Sequence, residues 1–311
     1  MASDPLTLAA GDARVEVAPG AGGAIASFLW RGEHVLRATG AEALAAGSVR
    51  QHACYPLVPY SNRIAHATLR TRDGTTFSLA RNFGEHPHAI HGVGWQRAWT
   101  IDAVEPARVA LSILHRAEGE DRRAWPFAFR ASQSFALDCE RDAAILTLTL
   151  ALENLDAVAF PFGLGWHPFF ARDPATVLAF AAAGVWETER TCLPTRYVPV
   201  PDEWRFDPPR RIAATALDNV FGGWTGAATL AWPSTRRQAV IEADRACGFL
   251  VVYAPPDGDF VAIEPVTHMT DAFNREVLGE VATGTRWLRP GESRSCTMRI
   301  VATLLQSKES A

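Results

Sequence analysis

Alternation of apolar and polar residues, the pattern of a half-buried β-strand, runs through most of this chain. The clearest case is 145–152, where leucines occupy every second position and small or polar residues stand between them. Successive side chains of a strand point to opposite faces, so these leucines share one face. Helical periodicity is scarce, and its best candidate is 41–46. Similar strand-like runs bounded by Gly, Pro, Asp or Asn cover 13–17, 24–30, 109–114, 239–242, 249–253 and 298–304.

This pattern predicts an all-β protein. Many short strands, 23 Gly and 20 Pro, and no alternation of strands with helices favour one large antiparallel sandwich with few short helices over a doubly wound sheet. We find no low-complexity linker, charged hinge or internal repeat, so we expect residues 1–311 to form a single domain. The Pro-rich segment 194–209 is predicted to be a long surface loop, a place that often carries function.

Composition narrows the functional classes. The 311 residues are 48% hydrophobic and 21% charged, which suffices for a large core without disulfides or metal. A net charge of -4 and a pI near 6.1 argue against a nucleic-acid partner. The start of the chain lacks the basic and apolar stretches of a secretion signal, and no run reaches membrane-spanning length. Five single cysteines lack Cys-x-x-Cys spacing and indicate reduced thiols, so we predict a cytoplasmic protein without a membrane partner.

Two ionisable residues, His167 and Glu264, stand at the ends of apolar runs, and a proline follows each of them. A carboxylate is seldom buried without a partner, and an imidazole exchanges protons near neutral pH. Together they form a candidate acid and base. The residues alone leave two structural alternatives open: a core histidine bound to a carbonyl, and an edge-strand glutamate that faces water.

Two further segments combine polar side chains with aromatic ones. In 55–64, Asn62 and Arg63 follow a Pro-interrupted stretch and could bind several hydroxyls of a polar ligand, or form a turn and a surface ion pair instead. The segment 86–95 holds three histidines in six positions and ends at Trp95, whose flat ring could pack on the core or on a sugar.

The three histidines of 86–95 raise the question of a metal, since imidazole suits zinc and copper. No cysteine accompanies them, and the nearby Pro and Gly residues indicate an irregular loop rather than ligands fixed on one helix face, so we predict no metal. Farther along, His268 and Asp271 are predicted to be loop residues that cap or turn the chain.

Taken in order, these segments resemble the motifs of the aldose 1-epimerases, or mutarotases. The resemblance runs from about residue 13 to residue 304, and the order and joint occurrence of the motifs make it specific. The matching motifs are 59–64, 91–92, 165–170, 217–221, 264–265 and 271–274, followed by a final turn at 288–292.

The resemblance implies a galactose mutarotase-like β-supersandwich. It also implies the interconversion of α and β anomers of a free monosaccharide, with no cofactor and no metal. By this resemblance Glu264 would take the proton of the C1 hydroxyl, and His167 would protonate the ring oxygen. The two groups would stand on opposite sides of the sugar and exchange roles when the ring recloses.

The same resemblance implies a set of binding residues. His91 would hydrogen-bond the reacting oxygens, Arg63 would fix ring hydroxyls, and Asp218 would accept from another hydroxyl. Asn62 and Trp95 complete the expected substrate-binding set. The loops at 193–196 and 269–270, which shape the sugar pocket, depart from the family pattern, so the resemblance leaves the identity of the sugar open while it keeps the catalytic pair.

Two alternative functions stay open from the sequence. A hexose-6-phosphate 1-epimerase would share the acid and base but would need cations for the phosphate, for which the candidates are Arg81, Arg97, Arg172 and Arg196. A non-catalytic sugar-binding protein could keep the binding residues and tolerate loss of either proton-transfer group. In each case the expected partner is a small monosaccharide, and the chain is expected to be a monomer or a homodimer.

Overall fold

Antiparallel sheets form nearly all of the regular structure in a computed structural model of the protein, which describes residues 5–212 and 215–305. Residues 1–4, considered above for a secretion signal, lie outside that part. The all-β prediction is confirmed, and the helix predicted at 41–46 has those bounds. The described part contains the short α-helices Ala41–Ala46, Asp121–Ala124 and Ala272–Val277, and the 3-10 turns Val49–Gln51, Ala65–Ala67, Gly94–Gln96 and Asp202–Trp204.

The larger of the two main sheets has nine strands within the described residues. One of its inner strands, Ala143–Asn154, alternates strictly between partly exposed and buried residues, and the leucines predicted to share a face are the buried set. In spatial order the strands are Thr100–Glu105, Arg108–His115, Phe129–Cys139, Ala143–Asn154, Ser293–Leu304, Arg237–Ala243, Ala227–Trp232, Val177–Phe180 and Phe206–Arg211.

The second main sheet, of eight strands in the described part of the chain, carries most of the residues that matter for function. The strand Phe260–Val266 lies inside it and also pairs with the short strand Phe169–Ala171. Apart from Phe169–Ala171, the strands in spatial order are Pro194–Val198, Gly184–Thr188, Leu217–Gly222, Phe249–Ala254, Phe260–Val266, Gly165–Trp166 and Pro56–Leu57.

Smaller sheets flank these two. One has four strands, and three are two-stranded, as counted over 5–212 and 215–305. The four-stranded sheet comprises Leu6–Ala10, Ala13–Ala18, Ala24–Trp30 and Glu33–His34. The strand pairs are Phe160–Phe162 with Arg286–Leu288, Arg63–Ile64 with Ala89–Ile90, and Thr68–Arg70 with Thr76–Ser78.

A single buried apolar cluster joins the sheets. Leu146 and Leu148 of the larger sheet belong to it together with Leu250 and Ile263 of the second sheet, all of them almost fully buried. Burial of apolar area on this scale is the main source of stability for such a fold, at roughly 25 cal/mol per Å². The core therefore fixes the second sheet rigidly beneath the residues described below.

The prediction of a long surface loop at 194–209 is wrong. Pro194–Val198 is an edge strand of the second sheet, and Phe206–Arg211 is an edge strand of the larger sheet. A proline cannot donate to a strand ladder, so an edge is where Pro-rich strands are tolerated. Buried Phe206 anchors the second of these strands in the core.

The structure also bears on a membrane location in one respect. No helix among residues 5–212 and 215–305 is long and apolar enough to cross a bilayer.

Candidate active site

One face of the second sheet forms the floor of a pocket. Because side chains alternate along a strand, Phe260 and Glu264 project to the same face. In the register of the sheet Glu264 stands opposite Val251, and Tyr253 on that same strand stands opposite Asp218. Three adjacent strands thus bring the carboxyl groups of Glu264 and Asp218 and the rings of Phe260 and Tyr253 to one surface.

The pocket above this floor has a volume of about 260 Å³. It brings together six of the seven site residues that the sequence predicts, and Trp95 is the exception. The pocket is lined by Arg37, Arg50, Tyr55, Asn62, Arg63, Phe83, Ile90, His91, His167, Phe169, Asp218, Val251, Tyr253, Phe260 and Glu264.

His167 and Glu264 meet directly in this pocket. His167 Nε2 lies 3.2 Å from Glu264 Oε1, and the glutamate is only 2% exposed. The main chain of His167 is held by donation of its N–H to the Tyr55 carbonyl, at 3.0 Å. The rings of Phe169 and Tyr55 pack against the imidazole, with centroids 4.3 Å and 4.8 Å away. Both structural alternatives for these two residues are excluded, since neither faces water and the histidine ring meets a carboxylate.

Burial governs the electrostatics of the pair. It raises the pKa of Glu264 well above its usual range, and the nearby Asp218 carboxylate adds to this while Arg63 opposes it. Burial also lowers the pKa of His167 to about 3, and Arg37 adds to that shift. Desolvation disfavours the charged form of each group. The pair therefore holds one proton across the 3.2 Å contact near neutral pH.

This contact corrects one expectation about the geometry. With 3.2 Å between Nε2 and Oε1, His167 and Glu264 do not stand on opposite sides of a sugar ring. The hydroxyl oxygen on C1 and the ring oxygen are both bonded to C1, so a neighbouring acid and base can reach both atoms from one side. Adjacent groups suit the opening of a hemiacetal.

His91 is held by reciprocal hydrogen bonds with Asn62. The His91 N–H donates to the Asn62 carbonyl at 2.8 Å, and the Asn62 N–H donates to His91 Nδ1 at 3.0 Å. Burial lowers the pKa of His91 well below its usual range, so the ring is neutral and carries its proton on Nε2. His91 thus offers a fixed donor to the pocket.

A glycine allows the tight approach that places His91. Gly92 has a φ of +69°, and a Cβ there would lie 2.2 Å from the Val58 carbonyl oxygen. That same oxygen accepts from the N–H groups of Val93 and Gly94. The turn after His91 therefore requires glycine.

Arg63 spans the pocket wall through two side-chain contacts. One guanidinium nitrogen donates to Asn62 Oδ1 at 2.9 Å, and another donates to Asp218 Oδ2 at 3.0 Å. The predicted alternative of a surface ion pair is corrected, because the Asp218 partner lies inside the pocket. A planar guanidinium held at two points leaves its remaining donors in a fixed orientation.

The residues of the 271–274 motif act on the backbone next to Arg63. Asp271 Oδ1 accepts from the Ala65 N–H at 2.9 Å. The side chain of Asn274 donates to the Thr68 carbonyl and accepts from the Arg70 N–H, both at 2.8 Å. The motif thus holds the segment that carries Arg63, while the Asp271 side chain caps no helix.

His268 supports the same segment from the other end. It is 2% exposed, and its Nε2 accepts from the Ser61 N–H at 3.2 Å. Its Nδ1 therefore carries the proton and donates to the Met269 carbonyl at 2.7 Å. As predicted, His268 lies in a loop, between Phe260–Val266 and Ala272–Val277, and there it is buried and bridges two segments.

Trp95 lies outside the pocket. It sits in the 3-10 turn Gly94–Gln96, is 7% exposed, and donates from Nε1 to the Ile90 carbonyl. Its ring packs behind Tyr55 at a centroid distance of 6.1 Å. The expected contact with a sugar is therefore corrected to a packing role behind the pocket wall.

Sequence reasoning missed several residues of the pocket wall. Tyr55 opens a motif segment and Phe169 stands two positions after His167, so strand periodicity could have identified both. Arg37 and Arg50 lie outside every recognised motif, and no local signal marks them. Both line the pocket, and the main chain of Arg37 is held there by donation of its N–H to the Phe169 carbonyl at 2.8 Å.

The remaining candidate cations and ligands lie elsewhere. None of the four arginines proposed for a phosphate lines the pocket: Arg97 and Arg196 pair with acidic side chains, Arg172 donates to main-chain carbonyls, and Arg81 is exposed. No group of three or more His, Cys, Asp or Glu side chains among 5–212 and 215–305 is arranged to hold a metal ion.

Fold and site together define a galactose mutarotase-like β-sandwich protein with a histidine and a glutamate in contact inside its pocket. The sequence matches the aldose 1-epimerase family over residues 4–301, and the chain belongs to that family. The uncharacterised Escherichia coli K12 protein YphB is 29% identical over 302 residues, which are 94% of this chain and 97% of YphB.

Solved structures agree with this assignment. A candidate aldose 1-epimerase from Escherichia coli K12 superposes with a TM-score of 0.85 at 27% identity, covering 97% of this chain and 99% of its own. A galactose mutarotase-like protein from Clostridium acetobutylicum has the same fold, with a TM-score of 0.83 at 20% identity and coverage of 96% and 95%.

Proposed function

We propose that this protein is an aldose 1-epimerase that interconverts the α and β anomers of a monosaccharide by acid and base catalysis. The observation that carries the proposal is the 3.2 Å contact between His167 Nε2 and Glu264 Oε1 in a pocket lined by hydrogen-bonding groups. Ring opening needs removal of one proton and delivery of another at neighbouring oxygens, and this pair can supply both.

The proton movements balance within the pair. Glu264, as a carboxylate, takes the proton of the C1 hydroxyl while His167, as an imidazolium, donates a proton to the ring oxygen. The bond from C1 to the ring oxygen breaks, and C1 becomes an aldehyde carbon. After rotation about the C1–C2 bond, the ring hydroxyl attacks the other face of the aldehyde, and both protons return.

In the uncharged pair Glu264 carries the shared proton. Transfer of that proton to His167 gives the reactive pair of carboxylate and imidazolium. Glu264 Oε2 is buried and has no hydrogen-bond partner within the described part of the chain. A sugar hydroxyl that donates to Oε2 would stabilise the carboxylate and favour movement of the shared proton to His167. Substrate binding would thereby prepare the pair for catalysis.

The surrounding residues hold the sugar in this proposal. His91 donates from Nε2 to an oxygen at C1, and Arg63 donates to ring hydroxyls while Asp218 accepts from one. The rings of Tyr55 and Phe169 form apolar walls against the faces of the sugar. The reaction involves proton transfers and no net oxidation or reduction, so these side chains suffice for it.

Polarimetry tests the proposal. Freshly dissolved neutral and anionic aldoses, added to the purified protein, should reach anomeric equilibrium faster than they do in buffer. If every sugar of such a panel kept its uncatalysed rate, the proposed function would be wrong.

A further inference from the structure

We propose that the substrate carries an anionic group on the exocyclic carbon at C5, and that Arg37 and Arg50 bind this anion. The inference rests on the proposed function, because that function orients the sugar ring. It deepens that function by naming the class of aldose: a sugar with a phosphate, sulfonate or carboxylate at this position.

The first observation is a cationic pair that lacks carboxylate partners. Both arginines line the pocket, and neither forms an ion pair with an acidic side chain among 5–212 and 215–305. The exposed Asp259 acts on Arg37 only from a distance. Arg63, the third arginine of the pocket, is paired with Asp218. The chain as a whole carries a net charge of -4, so this local positive excess does not follow from composition.

The second observation is that aromatic faces hold both guanidinium groups. Arg37 lies over the rings of Phe169 and Phe260, at 4.1 Å and 4.6 Å from their centroids. Arg50 lies over the ring of Phe83 at 4.2 Å. Stacking orients the plane of a guanidinium and directs its edge donors, and one nitrogen of Arg37 also donates to the His52 carbonyl at 3.5 Å. Such edges match the oxygens of a carboxylate or a phosphate.

The third observation is the direction of this cationic pair relative to the acid and base. Phe169, which carries Arg37 on one side, stacks on His167 at 4.3 Å. In the proposed reaction His167 serves the ring oxygen, and the ring oxygen joins C1 to C5. In the proposed orientation the exocyclic carbon on C5 therefore lies toward Phe169 and the guanidinium of Arg37.

The experiment compares glucose, glucose 6-phosphate and glucuronate by anomer-resolved NMR exchange. We expect kcat/KM for the anionic sugars to exceed that for glucose by about tenfold or more, the usual effect of a charged hydrogen bond. An advantage for glucose 6-phosphate alone identifies a phosphate-type dianion, one for glucuronate alone identifies a carboxylate, and equal advantages identify a site that accepts either anion.

Substitutions assign the effect to the two arginines. R37Q and R50Q should each lower the ratio of kcat/KM for the favoured anionic sugar to kcat/KM for glucose by about tenfold. R116Q, which removes an exposed cation outside the pocket, is the matched control and should behave like the wild type. Because Arg50 is exposed, R50Q should fold like the wild type. Circular dichroism checks this.

The outcomes separate this inference from the proposed function. Equal rates on neutral and anionic sugars, or an anionic advantage that survives both substitutions, would overturn the inference and leave the epimerase function intact. If no sugar is turned over, the function fails, and calorimetric affinities for the same three sugars decide the anion site. Tighter binding of the anions that R37Q and R50Q weaken would support it, and equal affinities would reject it.

Discussion

His167 Nε2 and Glu264 Oε1 lie 3.2 Å apart at the bottom of a buried pocket, although the two residues belong to distant parts of the chain. The contact joins the segment after Gly165–Trp166 to the strand Phe260–Val266, which are neighbours in one sheet. Because the two side chains touch, they share a proton and a common access to the substrate. Their adjacency determines the chemistry that we propose and the behaviour expected of variants.

Glu264→Gln should abolish most turnover. The amide is similar in size but cannot take the proton of the C1 hydroxyl, so we expect kcat to fall by about 10²–10⁴-fold. Sugar affinity, measured by calorimetry, should stay measurable. Glu105→Gln, on an exposed outer strand, is the control. An unchanged rate would remove Glu264 from the base role, and an inactive wild type that binds sugar would favour a non-catalytic binding protein.

The dependence of rate on pH should lack the usual imidazole limb. The active pair holds one proton; a second proton at low pH removes the base, and loss of the shared proton at high pH removes the acid. Burial lowers the pKa of His167 to about 3, which shifts the low-pH limb of the profile to lower pH. Burial raises the pKa of Glu264, which shifts the high-pH limb to higher pH. We expect kcat/KM to change little between pH 5 and 7. A tenfold loss per pH unit below 6.5 would contradict this.

Arg63→Lys should weaken sugar binding more than it slows the chemical step. An ammonium cannot reproduce the fork that contacts Asn62 and Asp218, so we expect KM to rise by about tenfold. Steady-state kinetics separates this rise from a change in kcat. Arg299→Lys, in an exposed pair with Glu242, should have no measurable effect. A fall in kcat alone would show that Arg63 acts on the reacting atoms.

Trp95→Phe tests the packing role assigned to that ring. The smaller side chain leaves a cavity behind Tyr55, so the free energy of unfolding should fall by about 1–2 kcal/mol. KM should stay within about twofold of the wild-type value, because the ring lies outside the pocket. Urea denaturation and steady-state kinetics provide the two readouts. A large rise in KM with unchanged stability would restore the predicted sugar contact.

Asn274→Ala should destabilise the fold. The substitution leaves the Thr68 carbonyl and the Arg70 N–H without their side-chain partner, at a cost of about 1–3 kcal/mol for each group that stays buried. Urea denaturation should show a loss of about 3 kcal/mol. Ser112→Ala removes an exposed side-chain hydrogen bond and should change stability by less than about 0.5 kcal/mol. Equal effects of the two substitutions would contradict the role of Asn274.

Strand periodicity predicted the larger sheet well, because each strand records its own burial. The leucines of 145–152 are buried on one face, and the run predicted at 24–30 is the strand Ala24–Trp30. The 194–209 segment failed, since its prolines suggested a loop and only the sheet edges could accommodate them as strands. Local composition does not reveal whether a neighbouring strand is available.

The site was accessible to prediction where a residue belonged to a motif. His167 and Glu264 were identified from ionisable groups in apolar runs, and Arg63 from its segment. Arg37 and Arg50 left no such signal, because an arginine in an ordinary sequence context is usually solvated. Trp95 was placed wrongly because the orientation of its ring depends on the turn Gly94–Gln96, not on the amino-acid type.

By itself the sequence determined which residues face a core, which fold class results, and which side chains can exchange protons. These properties are local, since periodicity and side-chain chemistry are written residue by residue. Only the tertiary structure decided that His167 and Glu264 touch, that Asn62 fixes the His91 tautomer, and that two arginines without a carboxylate partner in the described part of the chain border the pocket. Such contacts depend on strand register and on packing summed over the whole core, and no short segment encodes that sum.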